Sequence, residues 1–186
     1  MPKVSEEHVQ ARRAQILEGA RRTFAREGYE GATVAKLEQE IGLSRGAIFN
    51  YYPDKWSLFI ALAAEDQFEF MRVLEAEGVD GLLRRLAGES PDWLAVYFEL
   101  ARRLRTNPEL MQDLQNRSPE ASQRGDALFA SLQKEGALRG DVDLETVIAF
   151  INIVANGLAL GVSLGLQLDV DALLALVHRG IDPPPK

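Results

Sequence analysis

Few side chains in this sequence could take part in covalent or metal chemistry. The 186 residues include no cysteine and only two histidines, His8 and His178, which are far apart along the chain. A thiolate nucleophile, a disulfide and a cysteine metal site are therefore excluded, and a histidine metal cluster has no support. Spacings typical of a metal site and glycine loops that cradle phosphates are also missing. The sequence thus argues against an enzyme, and we expect no cofactor and no metal.

Hydrogen-bonding side chains are instead concentrated in a short segment that follows Ser44. Arg45, Asn50 and Tyr51 flank two small residues, Gly46 and Ala47. Small residues on the outer side of a helix let it lie deep in the major groove of DNA. There, arginine can pair with guanine and asparagine with adenine. This segment is therefore a candidate for contacts with base edges.

The elements that would position these side chains have the layout of a helix-turn-helix over residues 33 to 52. Thr33 is a good N-cap for a first short helix, Gly42 favours a tight turn, and Ser44 is a good N-cap for a second short helix. A longer helix is predicted before them, over residues 8 to 27, because apolar residues recur there at helical spacing.

The distribution of charge agrees with a nucleic-acid contact in this part of the chain only. The formal net charge is −7, but residues 1 to 56 carry nine basic and eight acidic side chains, whereas the rest carries 12 and 20. Phosphates repel an acidic surface. The N-terminal third is therefore the only part that DNA phosphates would tolerate.

The remainder of the chain is also predicted to be helical, because strand patterns of period two are missing. The predicted helices run from Asp54 to about Glu77, Pro91 to Asn107, Pro108 to Asn116, Pro119 to Leu132, Asp143 to about Leu166, and onward from Asp169. The predicted fold class is all-α.

The string FAREGYEGATVAKLEQEIGLSRGAIFNYYPDKWSLF, residues 24 to 59, resembles the DNA-binding domain of the TetR family of bacterial repressors. The resemblance implies an N-terminal three-helix helix-turn-helix domain over residues 1 to 53. It implies a C-terminal helical domain for ligand binding and dimerisation over residues 54 to 186. Glu38 stands where alanine is common, and we expect it either at the helix–helix contact or at the DNA.

Two shorter strings, ILEGARR from residue 16 and LRTNPEL from residue 104, resemble the aconitase repressors of actinobacteria, which respond to citrate. No matching cluster of carboxylate-binding side chains accompanies these strings. We therefore infer no effector from them.

The TetR resemblance also implies two groups of DNA contacts. Phosphate contacts are expected from three hydroxyl side chains and one lysine: Thr33, Ser44, Tyr51 and Lys55. Contacts with base edges are expected from Arg45, Ala47 and Asn50. The alternatives are structural, because Thr33 and Ser44 are N-caps in either case and Lys55 could be a solvated surface charge.

An uncharged run over residues 146 to 168 contains three glycines at four-residue spacing. Its length could span a bilayer, and this glycine pattern also occurs in membrane dimers. No basic flank marks a cytosolic side, so we expect no membrane contact and favour a helix buried in a homodimer. The expected dimer contacts are Gly157, Gly161, Gly165, Leu173 and Val177.

The resemblance places a ligand pocket between the DNA-binding domain and the dimer helices. The candidate lining residues are Trp93, Tyr97, Phe98, Arg102, Met111, Phe129, Asn152 and Asn156. Most of them are apolar residues at helical spacing, so the alternative for each is a place in the ordinary core.

The sequence therefore predicts a ligand-responsive dimeric transcriptional repressor that binds a palindromic operator and is released by a small-molecule effector. The charged N-terminus lacks the apolar region of a signal peptide, so we expect a cytoplasmic protein.

The alternative is a helix-turn-helix protein with an architectural or partner-recruiting role and no small ligand. A sealed core near Trp93, Phe129 and Asn156 would favour that alternative, and a cavity would favour the repressor.

Overall fold

The computed structural model describes residues 6 to 110, 112 and 119 to 184, and this part of the chain is helical without a strand. The main helices are α1 (Glu6–Gly31), α2 (Val34–Ile41), α3 (Arg45–Phe49), α4 (Lys55–Ala87), α5 (Pro91–Thr106), α6 (Pro119–Lys134), α7 (Leu144–Ser163) and α8 (Val170–Ile181). The predicted all-α fold class is confirmed. Residues 108 to 110 are helical too, but most of the helix predicted from Pro108 to Asn116 lies outside the described residues.

Helices begin where polar side chains can cap them. The side chains of Thr33, Ser44, Asp54, Asp143 and Asp169 each accept a hydrogen bond from a backbone N–H three residues further on. The first N–H groups of a helix have no acceptor within the helix, so such a side chain stabilises the first turn. These five caps set the starts of α2, α3, α4, α7 and α8.

Glycines in the left-handed region interrupt the two longest helices. Gly28 in α1 has φ 70°, and Gly78 in α4 has φ 69°. Residues with a side chain rarely adopt this conformation. The regular part of α1 therefore stops next to residue 27, and that of α4 next to residue 77. The sequence predicted that the two helices would end at these positions. Similarly, α7 ends at Ser163 rather than Leu166, because Gly165 turns the chain with φ 71°.

The apolar side chains form two cores, and α5 contributes to both. The N-terminal core joins α1, α2, α3 and the start of α4 to Trp93, Val96 and Leu100 of α5. The second core joins the rest of α4, Leu94 of α5, and the helices α6, α7 and α8. Helix α5 therefore connects the helix-turn-helix to the C-terminal helices.

Candidate DNA interface and ligand cavities

The turn between α2 and α3 is held by Gly42 and Glu38. Gly42 ends α2 with φ 74°, and its N–H donates to the carbonyl of Glu38 at 2.9 Å. The Glu38 carboxylate accepts the backbone N–H of Arg45 at 2.5 Å. Of the two expected locations, the structure thus places Glu38 at the helix–helix contact, where its charge complements the positive end of α3.

Helix α3 exposes the side predicted to meet base edges. Arg45, Gly46 and Asn50 are exposed, and Ala47 is half-buried. A Cβ atom added to Gly46 would have no heavy atom within 4 Å, so the surface here is open. The opposite side is anchored by Ile48, which is fully buried. This arrangement leaves a small, accessible helix face with an arginine and an asparagine at its edges.

The predicted phosphate contacts differ in their surroundings. Thr33 and Ser44 are exposed, and each hydroxyl accepts a backbone N–H at 3.4 Å as an N-cap. The half-buried Tyr51 packs against the N-terminal core. All three lie in or beside the helix-turn-helix, as a phosphate-binding role would require, and that role stays a prediction.

Lys55 is engaged within the chain. Its ammonium group donates to the carbonyl of Tyr29 at 2.7 Å and lies 4.4 Å from the centroid of the Tyr29 ring. Burial lowers the pKa of Lys55 below its usual value. Lys55 thus satisfies a carbonyl just beyond the Gly28 break, and this bond takes up one of the three N–H donors of its ammonium group.

Two neighbouring cavities lie among the helices that follow the helix-turn-helix. One has a volume of about 370 Å³ and is lined by α4, α6 and α7; the other, about 300 Å³, is lined by α4, α5 and α7, and both are partly open to solvent. Phe70, Leu86, Asn156 and Ala159 line both cavities. They therefore form a shared wall.

The predicted ligand residues divide between these cavities. Trp93, Tyr97 and Phe98 line the smaller cavity, Phe129 and Asn152 line the larger one, and Asn156 lines both. Met111 and the side chain of Arg102 lie outside the described residues. The sequence indicated one pocket, whereas in the structure these residues are divided between two neighbouring cavities that have Phe70 and Leu86 of α4 in common.

The cavity wall also contains a carboxylate that sequence reasoning missed. Asp66 is 8% exposed, and it accepts hydrogen bonds from Trp93 Nε1 and from the Tyr97 hydroxyl, both at 2.7 Å. Burial raises the pKa of the Tyr97 hydroxyl well above its usual value. The sequence did contain a signal for this buried carboxylate. Asp66 lies four residues after Leu62 and four before Phe70, and thus on the apolar side of the predicted helix.

A stripe of exposed apolar residues runs along α7. Ile153 is 71% exposed and Leu164 is 67% exposed. The stripe alternates steps of three and four residues, which is the spacing of packed helix pairs. We call it the α7 apolar face; it consists of Phe150, Ile153, Gly157, Leu160 and Leu164, with Leu176 of α8 also exposed.

The predicted dimer contacts have different surroundings within the protomer, and their place in a dimer stays a prediction. Gly157 lies on the α7 apolar face with open space around it, but a Cβ on Gly161 would lie 2.8 Å from Leu168 of the same chain. Gly165 forms the turn after α7, and Val177 is 1% exposed within its own core. Leu173 is half-buried against that same core. Of the five residues, Gly157 is thus the one that the protomer leaves open, whereas Gly161, Gly165, Leu173 and Val177 have contacts or a turn within their own chain.

Among the described residues, α7 is also the helix that is long and apolar enough to cross a membrane by length and composition. Within an apolar stretch of 18 residues of this helix, only 28% of the residues are buried in the protomer. An apolar helix of this kind needs a partner surface.

Comparison with known families agrees with this architecture. The family model described as "Bacterial regulatory proteins, tetR family" matches residues 16–62. A second model, described as "BetI-type transcriptional repressor, C-terminal", matches residues 77–183. The chain therefore belongs to the TetR family of bacterial transcriptional regulators, and the resemblance of residues 24 to 59 is confirmed.

Curated relatives are similar over nearly the whole chain. The HTH-type transcriptional repressor Rv1474c of Mycobacterium tuberculosis is 42% identical over 184 residues, covering 97% of this chain and 98% of the relative. The HTH-type transcriptional repressor AcnR of Corynebacterium diphtheriae is 38% identical over 188 residues, covering 97% of each. The protein is thus a TetR-family transcriptional repressor and not an enzyme.

Solved structures share the fold at low sequence identity. Salmonella enterica GusR has a TM-score of 0.72 at 22% identity, covering 95% of this chain and 97% of that one. Bacillus subtilis FadR, solved with stearoyl-CoA, has a TM-score of 0.71 at 22% identity, covering 89% and 95%. These similarities concern the fold alone.

Proposed function

We propose that this repressor acts in the cytoplasm as a homodimer that binds a palindromic operator and is released by a small-molecule effector. The observation that carries the proposal is the course of α4. This helix begins at its Asp54 cap, five residues after the end of α3, and continues along the walls of both cavities. One element thus joins the base-reading surface to the space where a ligand would bind.

The exposed side of α3 supports sequence-specific binding. Arg45 and Asn50 can donate and accept hydrogen bonds at base edges, and Gly46 and Ala47 allow a close approach. Thr33, Ser44, Tyr51 and Lys55 would contact phosphates and fix the register of the protein on the duplex.

The α7 apolar face supports a dimer. Two copies packed through α7 and α8 would form a four-helix bundle and place two recognition helices on one duplex. A two-fold dimer reads two identical half-sites in opposite orientation, so the operator would be a palindrome.

The cavities support a ligand-responsive repressor over an architectural DNA-binding protein, because a sealed core was expected for the latter. Their walls are mainly apolar with a few polar side chains, as in many small-molecule sites. The FadR structure with stearoyl-CoA illustrates that this fold can accommodate a ligand.

Selection of DNA from a random pool, followed by sequencing of the retained fragments, tests the first part of the proposal. We expect an inverted repeat whose affinity falls steeply with salt, because bound phosphates release counterions. Equal affinity for the selected and a scrambled sequence at about 150 mM salt would refute operator recognition.

Calorimetry tests the effector. A ligand found by thermal-shift screening of metabolites is titrated into the protein with and without operator. Because coupling between two sites is reciprocal, operator must weaken ligand binding by the factor by which ligand weakens operator binding, typically about 5- to 150-fold. Identical ligand affinity in the two titrations would remove the release mechanism and leave the architectural alternative.

A further inference from the structure

The carboxylate of Asp66 joins three helices at one buried point. From α5 it accepts the indole N–H of Trp93 and the hydroxyl of Tyr97, both on Oδ2 at 2.7 Å. From α1 it is paired with the guanidinium of Arg21, whose Nη2 donates to Oδ1 while Nη1 lies 3.4 Å from Oδ2. Asp66 itself lies in the first part of α4. We call these four residues the Asp66 cluster.

The contacts of the Asp66 cluster depend on one another. A buried carboxylate is costly unless it is paired and fully hydrogen-bonded, so the loss of one donor weakens the environment that holds the others. The Arg21 guanidinium also lies 4.4 Å from the centroid of the Trp93 ring, which ties its position to that of α5. Movement of α5 or α4 at this point is therefore transmitted to Arg21.

One side of the cluster is the wall of the smaller cavity. Asp66, Trp93 and Tyr97 all line it, whereas Arg21 approaches Asp66 from α1. A molecule in this cavity would touch the side chains that hold Arg21 without touching α1 itself.

Helix α1 in turn supports the end of α2 that precedes the recognition helix. Gln15 donates to the carbonyl of Ile41 at 3.0 Å. Gly19 packs so closely on Ile41 that an added Cβ would lie 2.7 Å from its Cγ1. Ile41 is followed by Gly42, whose turn sets the direction of α3. A shift of α1 at Arg21 therefore reaches the turn through two contacts within two helical turns.

We propose that Asp66 is the positioning residue through which occupancy of the smaller cavity changes the placement of α1 and of the recognition helix. The proposal rests on the proposed function and assigns its coupling to one cluster. In it, a ligand beside Tyr97 alters the hydrogen bonds of Asp66, Arg21 loses its fixed position, and α1 no longer holds the α2–α3 turn at the spacing that the operator requires.

A substitution that adds volume to the cavity serves as the probe. Ala101 lines the smaller cavity and is itself exposed, so Ala101→Phe places a ring at the opening of that cavity. Its matched control is Ala130→Phe, at an exposed position of α6 that lines neither cavity. We expect Ala101→Phe to weaken binding to the selected operator at least several-fold, within the usual coupling range of about 5- to 150-fold, and Ala130→Phe to leave it unchanged.

A double-mutant cycle with Arg21→Gln separates coupling from general damage. If the Asp66 cluster carries the coupling, Ala101→Phe has little further effect once Arg21 is replaced, because the two changes act on one chain of contacts. Equal effects of Ala101→Phe in both backgrounds, or no effect in either, would overturn the proposal.

Hydrogen exchange of the full chain without DNA gives a second readout that does not depend on operator binding. Tyr97→Phe removes one hydrogen bond to Asp66 and keeps the ring. We expect faster exchange at amides of α1 and of the α2–α3 turn, and unchanged exchange at amides of the buried residues Leu174 and Val177 in α8. Uniform acceleration would indicate a purely structural role for Asp66 and contradict the proposal. A failure to select any DNA would refute the proposed function but leave this readout intact.

Discussion

Arg45 and Lys55 are both basic residues predicted to contact DNA, but their side chains differ in their contacts within the chain. Arg45 is exposed, and among the described residues no carboxylate pairs with its guanidinium, which lies 5.7 Å from the Phe49 ring centroid. Lys55 instead holds the carbonyl of Tyr29. The proposed base contact and the contact that stabilises the fold therefore involve different side chains.

The two alanine variants should separate these roles. Arg45→Ala should leave the free energy of unfolding unchanged and weaken operator binding by ~1–3 kcal/mol, with relaxed specificity at one base position. Lys55→Ala should lower the free energy of unfolding by about 1–2 kcal/mol, because a charged hydrogen bond is lost. It should also weaken binding to all DNA sequences by the same factor. Urea unfolding measures the stability of each variant, and competition with single-base operator variants measures its affinity and specificity for DNA. A loss of stability in Arg45→Ala as large as that in Lys55→Ala would contradict this division.

His178 is a third residue with a testable role. Its Nδ1 lies 2.9 Å from Asp182 and its Nε2 lies 2.7 Å from Asp80, so α8 is tied to the second part of α4. These hydrogen bonds, first that of Asp182 and then that of Asp80, raise the pKa of His178 above its ordinary value of 6.5. The charged imidazolium is the form that both carboxylates favour.

A raised folded-state pKa fixes the sign of the pH effect. The stabilisation from His178 should be fully present below the unfolded-state value of 6.5 and should be lost as the pH rises through the higher folded-state pKa. Titration of the imidazole signals by NMR measures that pKa, and Asp182→Asn should lower it. A midpoint for the wild type at or below 6.5 would contradict the geometry, as would no change in the variant.

At the scale of elements, the break at Gly28 is tied to α5. The Glu99 carboxylate accepts the backbone N–H of Tyr29 at 2.8 Å and that of Glu30 at 3.1 Å. A Cβ on Gly28 would lie 2.8 Å from Glu99 Oε2, and φ there is 70°. The glycine thus allows α5 to cap the short helical turn after the break.

Gly28→Ala should therefore destabilise the protein by about 1–3 kcal/mol, the usual cost of such backbone strain. Gly46→Ala is the matched control, because its Cβ meets open space and alanine favours a helix. We expect Gly46→Ala to keep the stability of the wild type and to weaken operator binding, since the added methyl group lies on the face that we propose enters the groove. Thermal unfolding and operator titration of both variants test this pair, and equal stabilities would show that the break tolerates a side chain.

At this scale, the sequence predicted well those features that depend on residues close together in the chain. Caps such as Thr33 and Asp143, and breaks such as Gly28, depend on a few neighbouring residues, so their positions could be deduced before any packing was known. The roles of Gly161 and Asp66 could not, because they depend on which distant segments lie against them. Gly161 faces Leu168 and Asp66 faces Arg21, and neither partner is identified by spacing.

For the whole molecule, the α7 apolar face predicts where two copies meet. Ile153→Asp should yield a monomer, because a carboxylate buried in an apolar contact lacks a partner. Since Ile153 is 71% exposed in the protomer, the variant should keep its helical circular dichroism. Phe68→Asp, at a 60% exposed residue of α4, is the control and should stay dimeric. Light scattering at micromolar concentration measures the mass, and a monomeric Phe68→Asp with a dimeric Ile153→Asp would place the interface elsewhere.

Because α5 packs in both cores, it limits which segments of such a regulator can be exchanged for those of another regulator. A chimera that joined residues 1 to 53 to the body of another regulator would exchange Trp93, Val96 and Leu100 for the side chains of a foreign helix. Mismatches in a packed core leave voids or overlaps, and large-to-small changes there cost about 2–5 kcal/mol each. The unit that can be inherited or engineered intact is therefore the helix-turn-helix with the start of α4, together with the inner side of α5. Exchange of DNA specificity thus requires these two separate stretches of sequence to be transferred together.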